Sequence, residues 1–182
     1  MRRALLLLLL ALAGCGGSEG GEEAAAPADG VRQLDNVLAL RSDFEADAGK
    51  TRLLVLFSHT SGTCVAGARW VRENVLDAES SDDLRVYAVW LNQRVTDERG
   101  AIDPSILDDP RVTQYWDGEG ITGTYFADND LGGLGASGFV YDVYYVFGPD
   151  ASWQDQPGTP AAAGGPVLYE GEELLAALRA QL

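Results

Sequence analysis

Residues 52–58 (RLLVLFS) are an unbroken apolar run of strand length, the pattern of a strand covered on both faces. Residues 84–92 (LRVYAVWLN) and 139–148 (FVYDVYYVFG) are two more runs rich in β-branched and aromatic side chains. Residues 34–40 (LDNVLAL) alternate loosely and predict a first strand, and 166–171 (PVLYEG) predict a short last one. Between these runs the period lengthens. Cys64, Val65, Ala68, Val71, Val75 and Leu76 recur at helical spacing. Ser42 to Glu45 form a capping box that opens a short helix ending near Gly49 and Lys50. Asp109-Pro110 sets an aspartate at a cap and a proline at the first helical position, which predicts a third helix. An amphipathic segment, GEELLAALRAQL, closes the chain. The order β-α-β-α-β-α-β-β-α predicts an α/β fold: a parallel core first, then an antiparallel hairpin whose strands flank a Pro/Gly-rich loop.

The N-terminal pattern is different. Arg2 and Arg3 precede a short apolar stretch, Ala4 to Ala13. That stretch falls short of the ~20 apolar residues a membrane helix needs, and it reads as an export signal. Leu12-Ala13-Gly14-Cys15 resembles the lipobox of bacterial lipoproteins, which implies that Cys15 is lipidated and becomes the mature N-terminus. Residues 1–14 are then a signal peptide, 15–33 the lipidated cysteine and a flexible tether, and 34–182 one folded domain. Gly16 follows the cysteine where lipoproteins retained at the inner membrane of Gram-negative bacteria often carry aspartate, so the outer membrane is the expected address in such a cell.

The whole chain has a formal charge of −15, and loss of Arg2 and Arg3 with the signal takes it to −17. Such a surface repels nucleic acid phosphates and anionic lipid headgroups. The expected partners are therefore the membrane, through lipid on Cys15, and envelope proteins; nucleic acid is excluded. With Cys15 lipidated, Cys64 is the remaining thiol of the chain's two cysteines, so no intrachain disulfide is available.

The candidate chemistry lies at the end of the apolar strand, in SHTSGTC: His59, Ser61 and Cys64. Ser61 is a good N-cap residue, and Cys64, about a turn into the helix, can pack as a small hydrophobe. Alternatively Cys64 is a single reactive thiol and His59, the chain's single histidine, sets its protonation. No metal or cofactor is expected, because His59 and Cys64 do not complete a site. Asp117, Glu119, Asp128 and Asp130 lie in a Gly-rich acidic tract without EF-hand spacing, and it reads as a flexible loop. Among the tryptophans, Trp153 in the polar loop is expected to be exposed.

The order of elements, with a motif where the apolar strand meets a helix, resembles the thioredoxin fold. The stretch VLFSHTSGTC is similar to the thioredoxin strand, loop and C-x-x-C, and FGPDASW with VLYEGEELLAALRAQL is similar to the final hairpin and helix. The resemblance implies a three-layer sandwich with Cys64 at the second motif position. Ser61 stands where the attacking cysteine would be. The cis-proline expected before the following strand is missing from GLGASGFVYDVYY. The chain also resembles exported bacterial proteins with C-x-x-C, a Gly-x-Arg-Trp like Gly67 to Trp70, and an Asp-Pro-Arg-Val-Thr like Asp109 to Thr113. Peroxiredoxins resemble the motif in carrying Thr or Ser three residues before their reactive cysteine. The expectation is a binding or scaffold module without dithiol chemistry, with a one-cysteine oxidoreductase or peroxidase as the alternative.

Overall fold

The computed structural model describes residues 30–182. A six-stranded mixed sheet has the order β1-β4-β3-β2-β5-β6. Its strands are β1 (Val31–Gln33), β2 (Thr51–Phe57), β3 (Leu84–Leu91), β4 (Val112–Asp117), β5 (Val143–Phe147) and β6 (Ala162–Gly164). β1, β4, β3 and β2 run parallel, whereas β5 is antiparallel to β2 and β6 antiparallel to β5. The helices are α1 (Val37–Ala46), α2 (Gly62–Val71, continued by a π turn over Arg72–Leu76), α3 (Ile121–Asp128) and α4 (Val167–Arg179).

The apolar run of β2 is buried throughout, as its unbroken pattern predicts. Its side chains alternate between two cores. Leu53, Val55 and Phe57 pack with Cys64, Ala68 and Val71 of α2 and with Leu174 and Leu178 of α4. Leu54 and Leu56 pack with Leu40 and Phe44 of α1 and Phe126 of α3. Helices therefore cover both faces, giving the expected α/β three-layer sandwich. The parallel β2-α2-β3 unit followed by the β5-β6 hairpin and α4 is the arrangement the thioredoxin resemblance implies.

Several predicted elements are corrected. Residues 34–40 are mostly helix, because Asn36 accepts from the Leu38 N–H as an N-cap and Leu40 and Phe44 bury the i, i+4 face. Ser42 and Glu45 thus lie inside α1 rather than at its start. The first strand is Val31–Gln33, so the sheet takes in residues expected in the tether. The helix expected at Asp109-Pro110 is replaced by β4, whose residues from Gln114 to Asp117 are buried on both sides. The other Asp-Pro pair does cap: Asp103 accepts from Ser105 N–H and Pro104 opens a 3-10 turn. The third helix, α3, lies in the acidic tract read as a loop. There the Asp117 carboxylate accepts from Ile121 N–H, Thr122 N–H and the Thr122 hydroxyl. Residues 166–171 begin α4, and the last strand is drawn from the Pro/Gly-rich loop.

Trp153, expected to be exposed, is 1% exposed and packs edge-on against Phe44 and stacked on Tyr125. Its backbone N–H donates to the Glu45 carboxylate. The expected signal peptide, the expected lipidation at Cys15 and the expected tether through residue 29 fall outside the described residues. Among the described residues no helix is long and apolar enough to cross a membrane.

Candidate functional site

The motif loop runs from the end of β2 to Ser61, which takes the N-cap position of α2 with extended backbone. Its hydroxyl makes no capping bond. It faces the Cys64 thiol instead and favours that thiol's ionisation. The resemblance therefore places two residues that the fold does bring together. Cys64 is fully buried. Burial pushes its thiol up to about 11, with hydrogen bonds from Ser61 and the Ser58 backbone opposing the shift and the nearby Asp142 carboxyl adding to it.

Asp142 carries no local signal in the sequence beyond being a carboxylate inside a run of apolar residues. It precedes β5 in a left-handed conformation, φ 55°, and its N–H donates to Leu56 O at 2.8 Å. The side chain is 6% exposed. It lies beside the Cys64 thiol and the Val167 N–H, and its buried Oδ1 has no hydrogen-bond partner. Burial holds its carboxyl above the usual aspartate range, against the pull of those two donors. Gly165 passes directly beside it: a Cβ there would lie 2.2 Å from Asp142 O, so only glycine admits this approach. The peptide joining Gly165 to Pro166 is cis. A cis-proline therefore borders the motif, but at the start of α4 rather than before β5.

His59 stands apart from this pair. Its side chain is 7% exposed. Its Nε2 accepts from the Glu98 N–H at 3.3 Å, and its Nδ1 lies 3.7 Å from Asp97 Oδ1. The Trp116 ring packs beside it. After burial, the groups with the largest effect on Cys64 ionisation are Ser61, Ser58 and Asp142. Asp97, which nothing in the sequence marks, accepts from the hydroxyls of Ser58 and Thr60 and from the N–H groups of Gln93 and Arg94. Burial raises its carboxyl, but these donors outweigh burial and hold it below the ordinary value.

A cleft of about 370 Å³ opens beside Ser61 and Asp142, with Thr63, Arg94, Tyr141 and Tyr169 among its walls. Chemically, the arrangement offers a protonated, enclosed thiol and a buried carboxyl at the edge of an aromatic cleft. It offers no exposed thiolate. Among the described residues no three His, Cys, Asp or Glu side chains are grouped to hold a metal ion.

No family model and no curated protein matches the chain. One solved structure, the solution structure of a thioredoxin-like protein in the oxidized form, is similar at 18% identity and a TM-score of 0.46. The match covers 74% of this chain and 82% of that one.

Proposed function

We propose that the chain is an exported, lipid-anchored domain of the bacterial envelope that uses a thioredoxin-like fold for binding and performs no dithiol–disulfide exchange. The observation that carries this reading is the complete burial of Cys64 behind Ser61, with its thiol pushed up to about 11. The thiolate is the nucleophile in exchange. With that shift, fewer than about one thiol in a thousand is ionised at neutral pH, each unit being tenfold. A one-cysteine peroxidase or oxidoreductase needs the opposite: an accessible thiolate.

Two measurements test the reading. The chain with Cys15→Ser, whose single thiol is Cys64, should fail to accelerate insulin reduction by dithiothreitol. Iodoacetamide should label it at neutral pH only after denaturation. Rapid labelling of the native protein would favour the one-cysteine enzyme. The address has its own test. Wild type should fractionate with membranes through a high-salt wash and Cys15→Ala should not. Equal retention of both would remove Cys15 as the anchor.

A further inference from the structure

We propose that His59 is a pH-operated latch: neutral, it holds the 3-10 turn Arg99–Ala101, and through Arg99 the edge strand β1, against the end of β2; protonated, it moves to Asp97 and lets that turn go. The device is separate from the Ser61–Cys64 pair and does not depend on what the domain binds.

The first observation is the bonding of the imidazole. Its Nε2 accepts from the Glu98 N–H, so in the neutral ring the proton is on Nδ1. That Nδ1 is buried without a hydrogen-bond partner, and Asp97 Oδ1 stands 3.7 Å away, beyond bonding distance. The ring is satisfied on one side and short of a partner on the other. Protonation reverses the preference. Nε2 becomes a donor and meets the Glu98 N–H donor to donor, so that bond is lost. The imidazolium is drawn at the same time to the Asp97 carboxylate, where roughly 1 Å of movement makes a charge-assisted bond. Asp97 is ready to receive it, because its own donors hold the carboxyl below the ordinary value and keep it ionised.

The other charged side chains around the ring are engaged or turned outward. On the segment after β3, Arg94 reaches Gln93 Oε1, Glu98 is exposed, and Arg99 extends to Val31 O. At the end of β4, next to the Trp116 ring that packs on the imidazole, the Asp117 carboxylate accepts from Ile121 and Thr122. Asp97 is therefore the partner left for the charged ring.

The second observation is what the turn carries. Glu98 O accepts from the Ala101 N–H, and Arg99 Nη2 donates to Val31 O at 2.7 Å. β1 has three residues, lies at the edge of the sheet, and among the described residues pairs with β4 alone. So short an edge strand depends on bonds from outside the ladder, and Arg99 supplies one at its first residue. Releasing the turn removes that support.

The test uses the isotope-labelled Cys15→Ser chain in solution from about pH 8 to about pH 5, the range in which histidines change charge. Ring resonances report protonation of His59, the chain's single histidine. Amide exchange, corrected for its intrinsic pH dependence, reports opening. The Glu98 amide should lose protection several-fold in step with imidazole protonation. The Leu34 amide, bonded to Trp116 O at the end of β1, should follow by a smaller factor. The Thr51 amide, bonded to Asp83 O at the far end of β2, should not respond. His59→Gln, which can accept from Glu98 N–H and does not titrate, should abolish both responses. Arg99→Gln should keep the Glu98 response and remove the one at Leu34. Thermal melts establish that each variant is folded, and the wild-type His59 titration decides the matter without them. The latch is overturned by a ring that stays neutral to pH 5, by Glu98 protection that ignores or rises with protonation, by a Thr51 response of equal size, or by a response that survives in His59→Gln. An unmoved Leu34 amide overturns the transmission to β1.

Discussion

Thr60 and Asp97 join the two loops at the end of the sheet: the Thr60 hydroxyl donates to Asp97 Oδ1 at 2.5 Å. The Ser58 hydroxyl reaches both carboxylate oxygens at 3.1 Å, and Gln93 and Arg94 donate from the backbone at 2.9 and 2.7 Å. One buried carboxylate thus holds the motif loop against the loop that carries Arg94 to the cleft.

Asp97→Asn should therefore destabilise the domain by about 2–4 kcal/mol at neutral pH, since a charged acceptor is lost and several donors lose their partner. The pH dependence has a definite sign. The folded carboxyl lies below its ordinary value. Its stabilisation is then fully present above the unfolded value of about 3.9 and is lost as pH falls through the folded one. Urea unfolding of wild type and variant should differ at pH 7 and converge below about pH 4. A gap that persists unchanged at pH 2.5 would mean that the carboxylate's charge is not what holds the loops.

Cys64 should show the mirror-image behaviour at high pH. Its thiol is pushed up to about 11 by burial, with Asp142 reinforcing the shift. Between the ordinary thiol value and about 11 the unfolded chain has released this proton and the folded chain has kept it. Stability falls with rising pH across that window. Cys64→Ala should flatten this decline while costing stability at pH 7, because it leaves a small cavity. Asp142→Asn should lower the thiol's midpoint, measured by thiolate absorbance, without bringing it to the range of a free cysteine. Asparagine also tolerates the left-handed backbone at this position, so the variant should stay folded.

How much of this was legible beforehand depends on whether the signal was local. β2, β3, β5 and α2 follow from runs whose burial pattern is written in consecutive residues. Ser61 beside Cys64 follows from their spacing. The elements misread were those with competing local signals. Asp109-Pro110 has the chemistry of a helix start, but Gln114 to Asp117 are claimed by pairing with β3, whose Trp90 N–H donates to the Gln114 side chain at 3.0 Å. Residues 34–40 are too short for their period to be read, and the decisive bond is the Asn36 cap. Asp142 and Asp97 were invisible because their roles come from partners far along the chain: Asp97 and Ser58 are 39 residues apart. Trp153 looked polar-flanked and exposed, and only the α1 and α3 aromatics around it make that loop part of the core.

Arg52 is a second long-range feature, and its removal should be costly. The guanidinium is fully buried and lies 4.1 Å from the Phe44 ring centroid. It donates to the carbonyls of Lys50, Phe44, Gly148, Pro149 and Ala151. Burial lowers its pKa, but its charge is kept by these acceptors and by Tyr87, Glu45 and Asp47 nearby. Arg52→Ala strands the carbonyls and should cost about 3 kcal/mol or more in urea unfolding. Arg52→Lys should recover a minor part, because one ammonium cannot reach acceptors spread on both sides of the strand. Equal stability of the lysine variant and wild type would show that charge, not the planar fork, is what this position requires.

The motif itself can be rebuilt. Ser61 is the N-cap of α2, and Cys64 lies three residues on, with the serine side chain close enough to affect the thiol's ionisation. A disulfide needs Cα atoms roughly 4.4–6.8 Å apart, a window that residues three apart at a helix start fall within. Ser61→Cys in the Cys15→Ser background should therefore form an intramolecular bond under a mild oxidant, read as the loss of two hydrogens by mass and of both free thiols by titration. Ser61 is 5% exposed, so the new sulfur would share much of the enclosure that keeps Cys64 protonated. The oxidised variant should accordingly be reduced slowly by dithiothreitol and should turn over insulin poorly, because attack requires a thiolate that a partner can reach. Two free thiols surviving oxidation would show that Ser61 is not at the first motif position. Brisk insulin turnover would show that a single substitution separates this cleft from a working oxidoreductase, and that the enclosure around Asp142 is far more open than its burial implies.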